Sequence, residues 1–250
     1  NEEKASTSTS YSSTNGTTQI SYTVYTYNAA SDTDSNTLDY VTTYRSDTVG
    51  VPKVSETYYD TSRGQGNEVS WYSKSYNSLG NVKSTSVFFY GASSLKANST
   101  SINEATPMTS SVSFDGDKSG SIGTITSATT LDRESVTYYV GAAKEEVAKF
   151  SVNYDKADGT TVKDTSIFFY GASMKRAGET GIDEETKMTR QVSMRGVELT
   201  SANVDGLNKD STFVKPSATT YYRKSLTNFT GEKNEEKAST STSYSSTNGT

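Results

Sequence analysis

The stretch Asp115-Gly116-Asp117-Lys118-Ser119-Gly120-Ser121-Ile122 places oxygen side chains at its first, third and fifth positions, glycine at the sixth and isoleucine at the eighth. Alternating short oxygen ligands can wrap a hard cation, and glycine permits the sharp turn between them, as in an EF-hand-like loop. Asp115, Asp117 and Ser119 are the candidate calcium ligands. The twelfth position, where such a loop carries a bidentate acid, holds Thr126. An ordinary Asp/Gly/Ser turn is therefore the competing reading. Asp32, Asp34, Asn36 and Asp39 form a looser oxygen cluster that lacks the glycine. No other cofactor is expected.

Glu145-Glu146, matched by Glu2-Glu3 and by Asn67-Glu68, has the composition of a catalytic carboxylate pair. Its recurrence favours a structural surface role, because an active site copied several times in one chain would be unusual. Trp71 and the 18 tyrosines could stack on sugar rings. Tyrosine at alternating strand positions also packs across strands while its hydroxyl stays wet, which stabilises a sheet poor in aliphatics. Asn15, Asn98, Asn228 and Asn248 stand in N-x-[ST] sequons, which point weakly to surface positions.

The missing residue types exclude more chemistry than the present ones suggest. With no cysteine and no histidine, the chain has no Ser-His-Asp triad, no thiolate nucleophile, no disulfide framework and no conventional zinc or haem site. The net charge of −5 and the lack of a basic stripe argue against nucleic acid as a partner. No apolar run approaches the ~18 residues of a membrane span. The chain is not expected to be an enzyme.

The elements that must position these residues repeat. NEEKASTSTSYSSTNGT, Asn1–Thr17, recurs without change at Asn234–Thr250, a period of 233 residues. Repeats of this kind mark arrays, although an overlap introduced deliberately would look the same. A shorter, degenerate period lies inside the long one. VFFYGAS at Val87–Ser93 returns as IFFYGAS at Ile167–Ser173, and TYY occurs at Thr57–Tyr59, Thr137–Tyr139 and Thr220–Tyr222. Tyr11–Tyr27 aligns without a gap on Tyr154–Tyr170, bringing Asn15-Gly16 onto Asp158-Gly159. The expected organisation is a split unit's C-terminal part at 1–54, units at 55–134 and 135–216, and the next split unit's N-terminal part at 217–250, with 234–250 repeating 1–17.

Each unit carries four strand signals. A Tyr-Tyr strand is expected at Glu56–Tyr59, Val136–Val140 and Thr219–Arg223. Val147–Tyr154 alternates Phe150, Val152 and Tyr154 with polar residues, the period of two of a half-buried strand. It runs into Asp158-Gly159, a dipeptide suited to the positive φ of a hairpin turn. The return strand Thr161–Tyr170 ends in IFFY, apolar on both faces and so in need of cover on both. A short helix is expected around Asp183–Lys187. A fourth strand carries Met108, Val112 and Phe114, and its copies carry Met188, Val192 and Met194, and Leu38, Tyr40, Thr42 and Tyr44.

Leu, Ile, Val and Phe make up only about 16% of the chain, whereas Ser and Thr supply about a third. That composition borders on disorder; the 18 tyrosines and 8 phenylalanines point instead to a folded, polar all-β protein. Stacked hairpin units that share a core, forming a continuous solenoid or spiral sheet, suit so few aliphatics better than a string of separate β-sandwich beads.

Tyr76-Asn77-Ser78-Leu79-Gly80-Asn81-Val82 resembles the Y-D-x-x-G-N-[LV] core of YD (Rhs-type) repeats, with Asn77 in the Asp position. Tyr154-Asp155 through Gly159 resembles it with one residue more before the glycine. The resemblance implies β-hairpins that coil into a spiral sheet, as a hollow shell or a wall-associated extracellular protein. It covers the hairpins, about a third of the chain, and not the long segments between them. The larger pattern is similar to giant tandem-repeat surface proteins of bacteria. The expected function is structural, an extracellular fibre or cell-surface filament whose main partners are further copies of itself. An adhesin stalk presenting a carbohydrate- or protein-binding surface is the alternative.

Overall fold

The computed structural model describes residues 4–12, 15–28, 36–45, 52–207 and 223–244. The fold is all-β. Its strands are β1 (Thr7–Tyr11), β2 (Gln19–Tyr27), β3 (Leu38–Tyr44), β4 (Lys53–Asp60), β5 (Val69–Tyr76), β6 (Val82–Tyr90), β7 (Leu95–Lys96), β8 (Met108–Asp115), β9 (Arg133–Val140), β10 (Val147–Tyr154), β11 (Val162–Tyr170), β12 (Lys175–Arg176), β13 (Met188–Arg195), β14 (Arg223–Thr230) and β15 (Lys237–Ser243). They hydrogen-bond in the order β1-β2-β3-β4-β5-β6-β8-β9-β10-β11-β13-β14-β15, with β7 on β6 and β12 on β11, in a 15-stranded antiparallel sheet that is not closed. Two compact units divide the chain. The first holds Asn1–Thr106 and Ser111–Thr129, the second Pro107–Ser110 and Thr130–Thr250.

In the second unit the strand register sets the core. Tyr138 lies opposite Phe150, Phe150 opposite Ile167, Ile167 opposite Val192 and Val192 opposite Leu226. Directly paired residues share a face, so these side chains form one row across five strands. Phe150, Ile167 and Val192 are buried. Helix α1 (Ser201–Asp205) and the segment around it add the buried Leu199, Val204 and Leu207. Thr200 starts α1 with a capping box, its side chain accepting from Asn203 N while the Asn203 side chain accepts from the Thr200 backbone. At the other end Arg176 Nη1 donates to the carbonyls of Val204 (2.6 Å) and Leu207 (3.1 Å) and also to that of Asp205. A guanidinium there satisfies the carbonyls that the helix leaves without partners.

Both faces of the IFFY strand are covered in this unit. Ile167 and Phe169 turn one way and are buried. Phe168 and Tyr170, of opposite parity, turn the other way and pack with Val147, Ala177, Val140, Ile182 and Met188. In the first unit the matching residues Val87, Phe89 and Tyr90 are buried, together with Val112, Phe114, Ala97, Ile102, Ile122 and Ile125. There Lys96 Nζ donates to Ile122 O (2.9 Å) and Gly123 O (2.7 Å), just beyond the short 3-10 helix Ser119–Ser121. Lys96 thus plays the part of Arg176 in the other unit.

Two hairpin turns are built alike. Ser12 N donates to Thr18 O (2.7 Å) and Gly16 N to Ser12 O (2.8 Å); Asp155 N donates to Thr161 O (2.7 Å) and Gly159 N to Asp155 O (2.6 Å). Asn15 Oδ1 accepts from Thr17 N and Thr18 N, as Asp158 Oδ1 does from Thr160 N and Thr161 N. A shorter turn after Tyr76 closes with Asn77 N to Asn81 O at 2.9 Å.

One expectation needs correction. Asp183–Lys187 is a turn and not a helix: Thr186 N donates to Asp183 O (3.1 Å) and Thr186 Oγ1 to Asp183 Oδ1 (2.5 Å). The Asp183 and Thr186 side chains bond each other and Thr186 Oγ1 also accepts from Asp183 N, a local bonding pattern that competes with helix. The third Tyr-Tyr strand, expected at Thr219–Arg223, falls on residues 219–222 outside the described residues; β14 runs Arg223–Thr230. Its Thr227 and Asn228 face Ser241 and Thr240 where Thr57 and Tyr58 face Ser73 and Tyr72.

Candidate functional site

Asp115 ends β8, and Gly116 takes φ +69 at the following turn. Asp117 Oδ1 accepts from Ser119 N (2.8 Å) and Ser119 Oγ (2.7 Å), while Oδ2 pairs with Lys74 Nζ at 3.2 Å. Burial opposes ionisation, but the Ser119 bonds and Lys74 hold the Asp117 carboxyl below its usual range. The structure therefore brings Asp117 and Ser119 together, with Lys74 at the carboxylate oxygen turned away from Ser119. Among the described residues no three Asp or Glu side chains gather as a metal-binding group. Asp32 and Asp34 of the second oxygen cluster lie outside the described residues, and the Asn36 carbonyl accepts from Lys4 Nζ at 2.7 Å.

The repeated carboxylates act on backbone. Glu68 Oε1 accepts from Leu38 N (2.8 Å), Glu146 Oε1 from Met108 N (2.7 Å) and Glu236 Oε1 from Met188 N (3.2 Å). In each case a glutamate just before the start of one strand holds the first residue of the strand two places away in the sheet.

Tyrosines form the matching row of the first unit. Tyr40 pairs with Tyr58 and Tyr58 with Tyr72; the ring centroids are 5.5 Å and then 4.5 Å apart, the second pair stacked. Beside this row, Glu56 faces Lys74 where the second unit pairs Val136 with Val152. Glu56 is only 5% exposed. It accepts from Tyr58 Oη at 3.0 Å and also from Lys53 Nζ and Tyr76 Oη. Burial works against its charge, yet these donors prevail and hold its carboxyl below the usual range. Sequence reading missed this cluster; its one signal is a charged pair at the position where the other unit has two valines. Glu56→Ala leaves two tyrosine hydroxyls without their acceptor and is expected to cost about 2–3 kcal/mol in urea unfolding, whereas Glu56→Gln, which keeps an acceptor, costs about 1 kcal/mol.

A cation covers the tyrosine at or just after the end of β5, β10 and β15: Lys53 over Tyr76 (5.6 Å), Arg133 over Tyr154 (3.7 Å) and Arg223 over Tyr244 (4.0 Å). Tyr244 is the repeat-mate of Tyr11. Tyr154 is 3% exposed but Tyr11 is 54% exposed, because β1 has β2 on one side and ends the strand order on the other.

The two copies of the 17-residue segment use opposite edges. In the first copy, β1 pairs with the strand that follows it: Thr7 opposite Val24, Ser8 opposite Thr23, Thr9 opposite Tyr22 and Ser10 opposite Ser21. In the second, β15 pairs with the strand before it: Thr240 opposite Asn228, Ser241 opposite Thr227, Thr242 opposite Leu226 and Ser243 opposite Ser225. Tyr25 N donates to Ser6 O at 3.0 Å, so Ser6 turns its carbonyl toward β2; Tyr244 N donates to Lys224 O at 3.0 Å, so the position of Tyr11 turns its amide toward β14. These positions have opposite parity, and in an extended strand backbone groups of opposite parity point to opposite edges. One strand can make both sets of bonds at once. Every residue of β1 and of β15 is exposed.

No family model matches the chain, and no curated protein matches it significantly.

The titrating groups fix a pH profile. Bonds from Thr161 and Thr160 hold the Asp158 carboxyl down to about 2, and Glu56, Asp117 and Glu179 are also lowered. A carboxyl lowered by folding contributes stability above its unfolded pKa, and that contribution is lost as pH falls through the folded value. Burial raises Tyr58, Tyr76, Tyr154 and Tyr170 above 10. Their contribution is whole below pH 10 and is lost as pH climbs past the unfolded value, because the unfolded chain ionises first. With no histidine and no cysteine, no side chain of ordinary pKa titrates between those limits. The melting temperature is expected to be flat from about pH 5.5 to 9, falling below about 4.5 and above about 10, when measured by circular dichroism across that range.

Proposed function

We propose that the chain is one period of a structural tandem-repeat protein that forms an extracellular fibre or cell-surface filament, its hairpins adding strand to strand as a continuous solenoid or spiral sheet. The observation that carries this reading is the complementary pairing of the repeated segment. A copy that lies between two periods has β2 of its own period on one edge and β14 of the preceding period on the other. The seam between periods is then a strand like any other. Sheet edges, a hazard in isolated domains, vanish wherever one period follows another. The row Tyr40–Tyr58–Tyr72 and the row Tyr138–Phe150–Ile167–Val192 run across strands, the direction in which such a filament carries load. The absence of histidine and cysteine removes the groups most sensitive to mild pH and redox change.

In this reading the chain is no enzyme, and its partners are copies of itself. Electron microscopy of the native material tests it. A uniform filament with a regular axial repeat is the expected image; a compact monomer, or beads on flexible links, would reject the filament.

A further inference from the structure

Resting on the extracellular placement in that reading, we propose that Asn98 is a glycosylation site, its side-chain amide carrying a sugar chain delivered from a lipid pyrophosphate-linked oligosaccharide. Asn98-Ser99-Thr100 is an N-x-[ST] sequon, the acceptor sequence for such transfer. In that step Nδ2 attacks the anomeric carbon of the first sugar. The N–C bond forms as the bond from that carbon to the pyrophosphate oxygen breaks. The lipid pyrophosphate leaves, and a base of the transferase takes the proton released from Nδ2.

The fold sorts the sequons. Asn98 follows β7 in a turn closed by Ser99 N donating to Lys96 O at 3.0 Å. Ala97 before it is fully buried, while Asn98 and Thr100 are exposed. Arg63, itself paired with Asp60, donates from Nη2 to the carbonyls of Ala97 and Ser99, both at 2.6 Å. The backbone on either side of Asn98 is thus held from within, and the Asn98 side chain bonds to none of the described residues. A bulky polar group can be added there without breaking a hydrogen bond or entering the core. The other sequons lack that freedom. Asn15 donates from Nδ2 to Thr18 Oγ1 (2.8 Å) and accepts from Thr17 N and Thr18 N, so its amide is part of the hairpin turn. Asn228 lies within β14, between β13 and β15, donating to Thr240 Oγ1 and accepting from Arg190 Nε, both at 2.9 Å. Asn248 lies outside the described residues. In the second unit the residue matching Asn98 is Gly178 at φ +90, where a Cβ would press on Val140 Cγ2 at 3.3 Å. The site therefore falls in one diverged segment, once in each 233-residue period.

Glycopeptide mass spectrometry on the protein recovered from its native material tests the site. The expected result is a sugar chain on Asn98 in most copies and none on Asn15 or Asn228. Produced in the same cells, a Thr100→Ala chain should lose the modification, because the sequon is broken, while Thr100→Ser, which restores the hydroxyl, should keep it. A bare Asn98 in the native protein, a sugar on Asn15 or Asn228 at the occupancy of Asn98, or a sugar on Asn98 that survives Thr100→Ala would each overturn the assignment. The native measurement needs no variant, so it decides even where a substituted chain fails to fold. Electron microscopy of the same material separates this outcome from the filament reading: uniform filaments whose Asn98 is bare sink the glycan alone, and compact monomers that carry it sink the filament alone.

Discussion

Phe169→Ala is expected to lower the stability of the chain by about 3–5 kcal/mol, the range for emptying a buried phenylalanine site. Phe169 is 1% exposed, in the strand whose Ile167 joins the row of Phe150 and Val192. Its neighbour Phe168 packs on the opposite face and is only partly buried. Phe168→Ala is expected to cost about half as much or less, since the lost transfer energy scales with the apolar area removed from water. Urea unfolding of both variants, read by tyrosine fluorescence and by circular dichroism, checks the ordering. Equal losses would mean that the two faces of the strand are equally covered. The same contrast is expected between Phe89 and Phe88, of which the first is fully buried.

Gly159→Ala is the second large effect. Gly159 has φ +62, and a Cβ there would lie 1.7 Å from Thr130 O and 2.8 Å from Thr130 C. Both are backbone atoms, and Arg133 holds the same place from two sides, donating Arg133 N to Thr130 O at 3.0 Å and Nε to Gly159 O at 2.8 Å. The left-handed conformation and the displaced backbone together are expected to cost about 3–5 kcal/mol. Gly16 sits at the matching place in its own turn with φ +64 but meets nothing within 4 Å. Gly16→Ala is therefore expected to cost only the conformational part, about 1–2 kcal/mol. Melting temperatures of the two single variants, measured side by side, decide it.

This pair shows how far the sequence is legible. The gap-free alignment of Tyr11–Tyr27 on Tyr154–Tyr170 carries the turn chemistry: a dipeptide with Asn or Asp before Gly, the same amide bonds, the same positive φ. These features are local, so the residues that determine them are adjacent. Which glycine is crowded depends on Thr130, almost 30 residues away in sequence, and no local pattern records that. IFFY reads as apolar on both faces; the reading could not say that Phe169 is sealed while Phe168 is half open, because the covering groups arrive from remote segments.

The same limit applies to other elements. In the strand that pairs with Lys237–Ser243, Thr227 and Asn228 stand where Thr57 and Tyr58 stand in β4, although asparagine replaces the tyrosine. Cross-strand register follows the whole face and not a three-residue motif. Asp183–Lys187 has acidic residues that read as a helix start, but the Asp183 carboxylate accepts from Thr186. Of the candidate calcium ligands, Asp117 and Ser119 do meet, although the sequence gives no hint of Lys74, which comes from a strand 43 residues earlier. Arg176 and Lys96 are invisible as helix and turn caps for the same reason. Glu146 illustrates the opposite case, since its recurrence argues for a structural role and its carboxylate accepts from the Met108 amide.

The central claim is that the repeated segment is one strand with two partners whenever periods follow one another. Amide hydrogen exchange on a chain carrying two periods, with the middle copy of the segment isotopically labelled, reads this residue by residue. In the one-period chain the first copy should protect the amides of Ser8 and Ser10, which face β2, and leave those of Thr7 and Thr9 to exchange rapidly. In the two-period chain the middle copy should protect all four positions. If alternation persists in the middle copy, only one edge of the strand is paired, and the sheet stops at every period.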